Sequence, residues 1–292
     1  MNALDVTVDG VKITASLHTA AQPMAGAPLL VALHGGTYSG EYYRVAGSAA
    51  GSFVDVANRN GFSMLVLDRP GYGGSDLLPE DENTFARQAE LLDSAVGEML
   101  QGIDVSSVVL VGHSIGGMIT LELAALHPSW PLVGVAITGM GARIPAGGAA
   151  ETLGSLPFEG VIDLPVPDRE GVMFGPPGSY SETAAVQARA SYAPTPFIEL
   201  VRAPQWARER LAVVAPAVAV PVLHGLAEFD ALWDTSLEAR EAFIAAFAEG
   251  VPVESSIVAG VGHSIDHHLL GVVVQLRQLA FALEVAGPSS PS

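Results

Sequence analysis

The sequence predicts an α/β protein: a mainly parallel central sheet with helices on both faces. Three observations carry that expectation. Short aliphatic runs alternate with longer amphipathic segments, the pattern of strand–helix–strand crossovers. The runs are apolar at successive positions, as strands buried on both faces require. The 292 residues, 49% hydrophobic and 15% charged, supply core enough for one large domain.

Taken in order, residues 6–8 and 11–17 read as a hairpin around Asp9-Gly10. Residues 29–33 form a buried strand ending in His34-Gly35-Gly36-Thr37. A helix is expected over 43–60, stopped by Gly61. Strand 62–67 ends in Asp68-Arg69-Pro70-Gly71-Tyr72-Gly73-Gly74-Ser75. Residues 84–100 read as a helix, with Phe85, Leu91, Leu92, Val96, Met99 and Leu100 as its apolar side. Residues 108–111 are aliphatic and stop at Gly112. Through Ser114 they lead to an apolar, helix-compatible stretch over 118–126, and strand 132–138 follows. From Gly141 to Pro216 the alternation stops, and ten of the twenty prolines fall there among scattered aromatics. That texture marks an insertion. Alternation resumes with strand 218–226, helix 235–249, strand 253–258 and a last helix from about His268. The expected organisation is a core from 1–140 and 217–286, an inserted lid (cap) over 141–216, and a disordered Pro/Ser tail over 287–292.

The net charge is −18, with Lys12 the one lysine. A field of that sign repels nucleic acid and anionic lipid, so neither is expected as a partner. With no cysteine, disulfides, thiolate nucleophiles and Cys-based metal sites are excluded. The first ten residues show no apolar signal core, and the apolar stretch 269–285 is broken by Gln275, Arg277 and Gln278 at helical spacing. It reads as an amphipathic helix, with no membrane span expected. The cytoplasm is the expected compartment and a small molecule the expected partner; a homodimer is compatible with this reading.

In sheets of this kind the loops at the carboxyl ends of the strands build the site. Four such ends carry chemistry: His34-Gly35-Gly36, Ser114, Asp230 and His263. Gly112-His113-Ser114-Ile115-Gly116 places a serine on a sharp strand-to-helix turn, where a side chain at either glycine would collide with its neighbours. A serine hydroxyl is a poor nucleophile at neutral pH and needs a base within hydrogen-bond reach. His263 is the candidate base, with Asp230 to hold its tautomer.

At this point the chain resembles the α/β-hydrolase family, in its serine carboxylesterase-like branch. The resemblance rests on His34-Gly35-Gly36, Asp68 to Ser75, Gly112 to Gly117, Ala227-Glu228-Phe229-Asp230 and Gly262-His263. It implies the α/β-hydrolase fold with a lid and a nucleophile–acid–base order of Ser114, Asp230, His263. The nine residues from Pro221 to Asp230 match the strand-plus-turn length that usually places the acid in this family. Glu228, two residues earlier, is the alternative acid. The oxyanion donors are expected from the Ile115 amide and from the loop after Gly35, where Gly36 is favoured over Thr37. His113 is expected to be a structural neighbour of Ser114. His263 and His267 share a helical spacing, but Ser264 stands where a zinc-protease motif needs Glu, so no metal is expected; no cofactor is expected either. Thr37, Met140, Met173, Phe174, Trp206 and Trp233 are the expected pocket wall. The implied activity is hydrolysis of a carboxylic ester of a small or medium-sized apolar substrate through an acyl-enzyme on Ser114. A lactonase, thioesterase or C–C bond hydrolase using the same triad is the alternative.

Overall fold

The structure is a computed structural model that describes residues 1–287. Of the expected tail, Gly287 closes the last helix and residues 288–292 lie outside the described residues.

The strands are β1 (Asn2–Val8), β2 (Val11–His18), β3 (Leu29–Leu33), β4 (Met64–Asp68), β5 (Val108–His113), β6 (Leu132–Thr138), the two-residue β7 (Val161–Ile162) and β8 (Thr195–Pro196), β9 (Val222–Phe229) and β10 (Val253–Gly262). Eight form one sheet in the order β1-β2-β4-β3-β5-β6-β9-β10. The β1–β2 and β2–β4 pairs are antiparallel and the rest parallel. The helices are α1 (Phe53–Arg59), α2 (Phe85–Met99), α3 (Ile115–Ala125), α4 (Ala149–Gly154), α5 (Val166–Met173), α6 (Glu182–Ala190), α7 (Phe197–Glu209), α8 (Leu211–Val214), α9 (Leu237–Ala245) and α10 (Gly271–Ala286).

Successive strand residues go to opposite faces, which explains the unbroken apolar runs. Leu29, Val31, Leu33, Val108 and Leu110 join a core with α2, α3 and α9. Leu30, Ala32, Val109 and Val111 join a second core with α1 and α10. With β3 and β6 on either side, β5 lies inside the sheet, and α3 behind it is buried all round its circumference. Ser114 therefore emerges from a doubly supported strand end.

Several expected boundaries shift, four of them for a clear local reason. The helix expected over 43–60 is a 3-10 turn (Gly40–Arg44), an irregular link, and only then α1. Gly47 interrupts it: the loop packs so close to residues 266–268 that a Cβ there would fall 2.2 Å from the Asp266 carbonyl oxygen. The start of α1 is set by a capping box between Ser52 and Asp55. The strand expected at 218 begins at Val222, because Ala215–Ala217 is a 3-10 turn and Pro221 has no N–H to give a ladder. The last helix begins at Gly271, because Ile265–His267 forms a separate 3-10 turn. Helix 235–249 is trimmed to α9, whose N-cap is Ser236. Residues 141–216 add α4 to α8 and the small β7–β8 ladder, and give no strand to the main sheet.

Candidate active site

Ser114 sits on the tight turn between β5 and α3 with φ 54° and ψ −122°. A non-glycine residue there is strained, and the surrounding close packing holds it. A Cβ on Gly116 would lie 2.2 Å from the Leu33 carbonyl oxygen, and one on Gly112 would lie 2.4 Å from Thr120 Oγ1. The glycines thus let α3 close down on β3 and β5. The Ser114 amide is tied to the Thr138 carbonyl of β6 at 2.8 Å.

His263 follows β10 and Asp230 follows β9, two neighbouring parallel strands that end at one edge of the same cleft. His263 Nε2 lies 3.0 Å from Ser114 Oγ, and His263 Nδ1 lies 3.0 and 2.9 Å from the two Asp230 oxygens. With Nδ1–H donating to the carboxylate, Nε2 is the acceptor for the serine hydroxyl. The imidazole and carboxylate are 1% and 0% exposed, so the line is shielded from water until it reaches Ser114. Asp230 Oδ1 also accepts from the amides of Leu232 (2.9 Å) and Trp233 (3.2 Å), which fixes the carboxylate plane. Glu228 is exposed and points elsewhere. Its Oε2 accepts from the Gly260 amide at 2.7 Å, bracing β9 to β10.

The histidines near the line are built into the packing. His113 stacks on Tyr42 at 4.5 Å, contacts Thr138 Oγ1 at 3.0 Å, and lies 5.1 Å from the His263 ring. Burial, then the neighbouring imidazoles, hold it well below the usual histidine range, which keeps it neutral. His267 bonds the Tyr42 carbonyl at 3.1 Å. His268 Nε2 accepts from the amides of Gly175 and Gly262, both at 3.0 Å. Burial pushes these two down to about 3 and about 4. Among the described residues no group of three or more His, Asp or Glu side chains could hold a metal.

Ser114 opens into a largely apolar cavity. Its floor is Gly36, Thr37, Ser114, Ile115 and Met118, and Leu232 and Trp233 close one side. The rest comes from residues 141–216, including Ile144, Leu153, Leu164, Val172, Met173, Leu200 and Ala203. Thr37, Met173 and Trp233 thus lie on the wall as expected; Met140, Phe174 and Trp206 do not line it. Met140 fills the space behind Gly117, and its carbonyl is bonded by His224 at 2.7 Å. Phe174 packs on Tyr180 and His268. Trp206 turns its indole N–H to Glu122 at 2.7 Å on α3. Sequence reasoning missed the aliphatic wall. A signal was present in Leu200, Ala203 and Pro204, an i, i+3, i+4 stripe on α7.

A sequence model of the alpha/beta hydrolase family matches residues 30–274. The chain belongs to the alpha/beta hydrolase family. A 1-acylglycerol-3-phosphate O-acyltransferase from Arabidopsis thaliana is 33% identical over 106 residues, 35% of this chain and 23% of that protein, so the likeness spans about a quarter of that relative's length. Two solved structures share the fold: a proline iminopeptidase from Mycobacterium smegmatis (TM-score 0.68, 17% identity, 98% of this chain and 99% of that one) and the esterase RhEst1 from Rhodococcus sp. ECU1013 (TM-score 0.63, 19% identity, 98% and 100%).

In this alpha/beta hydrolase the loop opposite Ser114 is held by a second buried assembly. Its centre is Arg69, which is 0% exposed and uses all five N–H bonds. Nε donates to the His34 carbonyl at 2.8 Å. One Nη donates to Gly35 O (3.1 Å) and Glu199 Oε2 (3.0 Å). The other donates to Gln88 Oε1 (2.9 Å) and Glu199 Oε1 (3.0 Å). Tyr72 Oη and Gln88 Nε2 donate to the same Glu199 carboxylate at 2.7 and 2.6 Å. Burial opposes the Arg69 charge, but the Glu199 carboxylate outweighs it and lifts the guanidinium above its ordinary range. His34 Nε2 accepts from the Arg69 amide at 3.1 Å, so Nδ1 carries the proton and donates to Gly35 O at 2.7 Å. Burial, aided by Arg69, keeps His34 neutral. The glycines after Asp68 thus belong to a turn that aims Arg69 and Tyr72 inward.

Proposed function

We propose that this chain is a serine hydrolase that cleaves carboxylic esters of small or medium-sized apolar substrates, with residues 141–216 acting as the lid. The observation that carries the reading is the 3.0 Å approach of His263 Nε2 to Ser114 Oγ at the floor of an apolar cavity. Ser114 Oγ attacks the ester carbonyl as its proton passes to His263 Nε2. The imidazolium is stabilised by Asp230. The oxyanion of the tetrahedral intermediate is received by the Ile115 amide, which opens α3 and has no intrahelical acceptor, and by the Gly36 amide. Collapse breaks the ester C–O bond and His263 returns the proton to the leaving alkoxide. A water, deprotonated by His263, then adds to the acyl carbon; the bond from that carbon to Ser114 Oγ breaks, His263 returns the proton to Oγ, and the acid leaves.

Only Thr37, Asp168 and Arg169 add polarity beside Ser114; one Nη of Arg169 is bonded to Asp163 and the Ala193 carbonyl, while its Nε has no hydrogen-bond partner among the described residues. Apolar walls favour an aliphatic or aryl acyl group. The test is a panel of p-nitrophenyl esters of increasing acyl length, with fluorophosphonate labelling of the same protein. Expected are turnover that peaks at a short or medium chain and labelling that Ser114→Ala abolishes. Labelling without hydrolysis of any ester, alongside turnover of a lactone, thioester or β-diketone, would replace the ester with that bond.

A further inference from the structure

Arg69 and Glu199 form a bidentate ion pair with both side chains 0% exposed. Removing two charges from water is costly, and a pair of this kind often stabilises a fold no better than apolar side chains of the same volume. Its geometry offers another role. Two of the guanidinium N–H groups are spent on the carbonyls of His34 and Gly35, the residues just before Gly36. The Gly35 carbonyl takes a further bond from His34 Nδ1 at 2.7 Å.

The Gly35–Gly36 peptide is trans, as are all the peptide bonds among the described residues. In a planar trans peptide the N–H points opposite to the C=O. Anchoring the Gly35 oxygen on Arg69 and His34 therefore turns the Gly36 N–H the other way. There the loop meets the nucleophile: a Cβ on Gly35 would lie 3.0 Å from Ser114 Cβ, and one on Gly36 would lie 3.0 Å from Ile115 Cδ1. Gly36 also lines the cavity. The guanidinium further polarises the Gly35 carbonyl, which makes the amide on the other side of that peptide a stronger donor. Glu199 lies on α7, the helix whose Leu200 and Ala203 form part of the cavity wall.

We propose that Arg69 and Glu199 are positioning residues that set the Gly36 amide as an oxyanion donor, and that α7 carries this clamp, so docking of the inserted segment completes the oxyanion hole. The inference rests on the serine hydrolase reading above. It assigns the buried pair a part in turnover without contact with the substrate.

The test compares the full-length wild type with R69M/E199L, which removes both charges together and leaves neither uncompensated, and with R69K, which keeps the charge but loses the planar fork. Expected in both is a fall in kcat of about a hundredfold, the scale of one lost oxyanion donor, with KM within about threefold of wild type. The acid limb of the pH–rate profile, which reports the base, stays in place. Melting temperature and circular dichroism establish that each variant is folded; if the double variant does not fold, R69K carries the test alone. Wild-type kcat in a folded variant overturns the inference and leaves the hydrolase reading intact. So does a loss that appears in KM or moves the acid limb. Failure of the wild type itself to turn over any ester or to be labelled at Ser114 overturns the hydrolase reading, and this inference with it.

Discussion

Two buried polar assemblies meet at the His34-Gly35-Gly36 loop, and they are finished differently. Around Arg69 and Glu199 the guanidinium has every N–H matched, and the carboxylate receives bonds from Arg69, Tyr72 and Gln88. Along Asp230, His263 and Ser114 the bonds run in one direction and end on a hydroxyl at a cavity. That hydroxyl is carried by a residue with φ 54°. A closed network fixes a shape and has nothing left to offer a ligand. An open line in strained backbone keeps an unspent group where a reactant can meet it. The lesson is that burial and charge alone do not mark a reactive centre; an unfinished end beside empty space does.

The sharpest way to break the contrast is at the middle of the open line. Asp230→Asn should lower kcat by about ten-thousandfold, roughly 5 kcal/mol of barrier, because the amide no longer selects the tautomer that presents Nε2 to Ser114. Steady-state kinetics on the best ester measures it, and a fold-change near one would remove Asp230 from the mechanism.

The closed network should respond in stability first. Glu199→Gln leaves Arg69 charged and buried without its counter-ion, and should cost about 3–5 kcal/mol in denaturant unfolding. A cost below about 1 kcal/mol would mean that water reaches the pair.

A smaller effect comes with pH. Burial, the dominant cause, holds His224 and His268 down to about 4 and His267 to about 3. The folded chain stays neutral at these rings while the unfolded chain protonates near 6.5. Their contribution is therefore complete above pH 6.5 and is lost as the pH falls toward 4. The slope is about 1.4 kcal/mol per histidine per pH unit. Thermal melts from pH 7 to 4.5 check this, and His224→Asn should flatten the curve; an unchanged slope would assign the loss to other groups. The smallest effect belongs to Glu228→Gln, whose exposed carboxylate only braces Gly260. Turnover within about twofold of wild type is expected, and a larger loss would return Glu228 to consideration as the acid.

The two assemblies also differ in how far they could be read in advance. That Ser114, Asp230 and His263 would meet could be expected, because a serine needs a base and the base an acid, and a sheet fold offers particular places for them. Arg69 stands in the Asp68–Ser75 stretch, which in sequence reads as a turn and no more. Its partner is 130 positions away on α7, with no periodicity linking the two. The pocket divided in the same way. Met173 and Trp233 reach the cavity while Met140, Phe174 and Trp206 turn to the core or to a polar partner, although all five are large and apolar.

What the sequence determined by itself is local and periodic: strands 29–33 and 132–138, the helix over α2, the parallel class of the sheet, and the strand ends on which reactive residue types stand. Alternating burial and steric collision at a tight turn act within a few residues, so they leave a trace in the order of the letters. Tertiary structure alone decided which side chains of the 141–216 segment face the cavity and which acid neutralises Arg69. Those outcomes depend on distances between elements far apart in the chain, and only the packing of the two cores sets such distances.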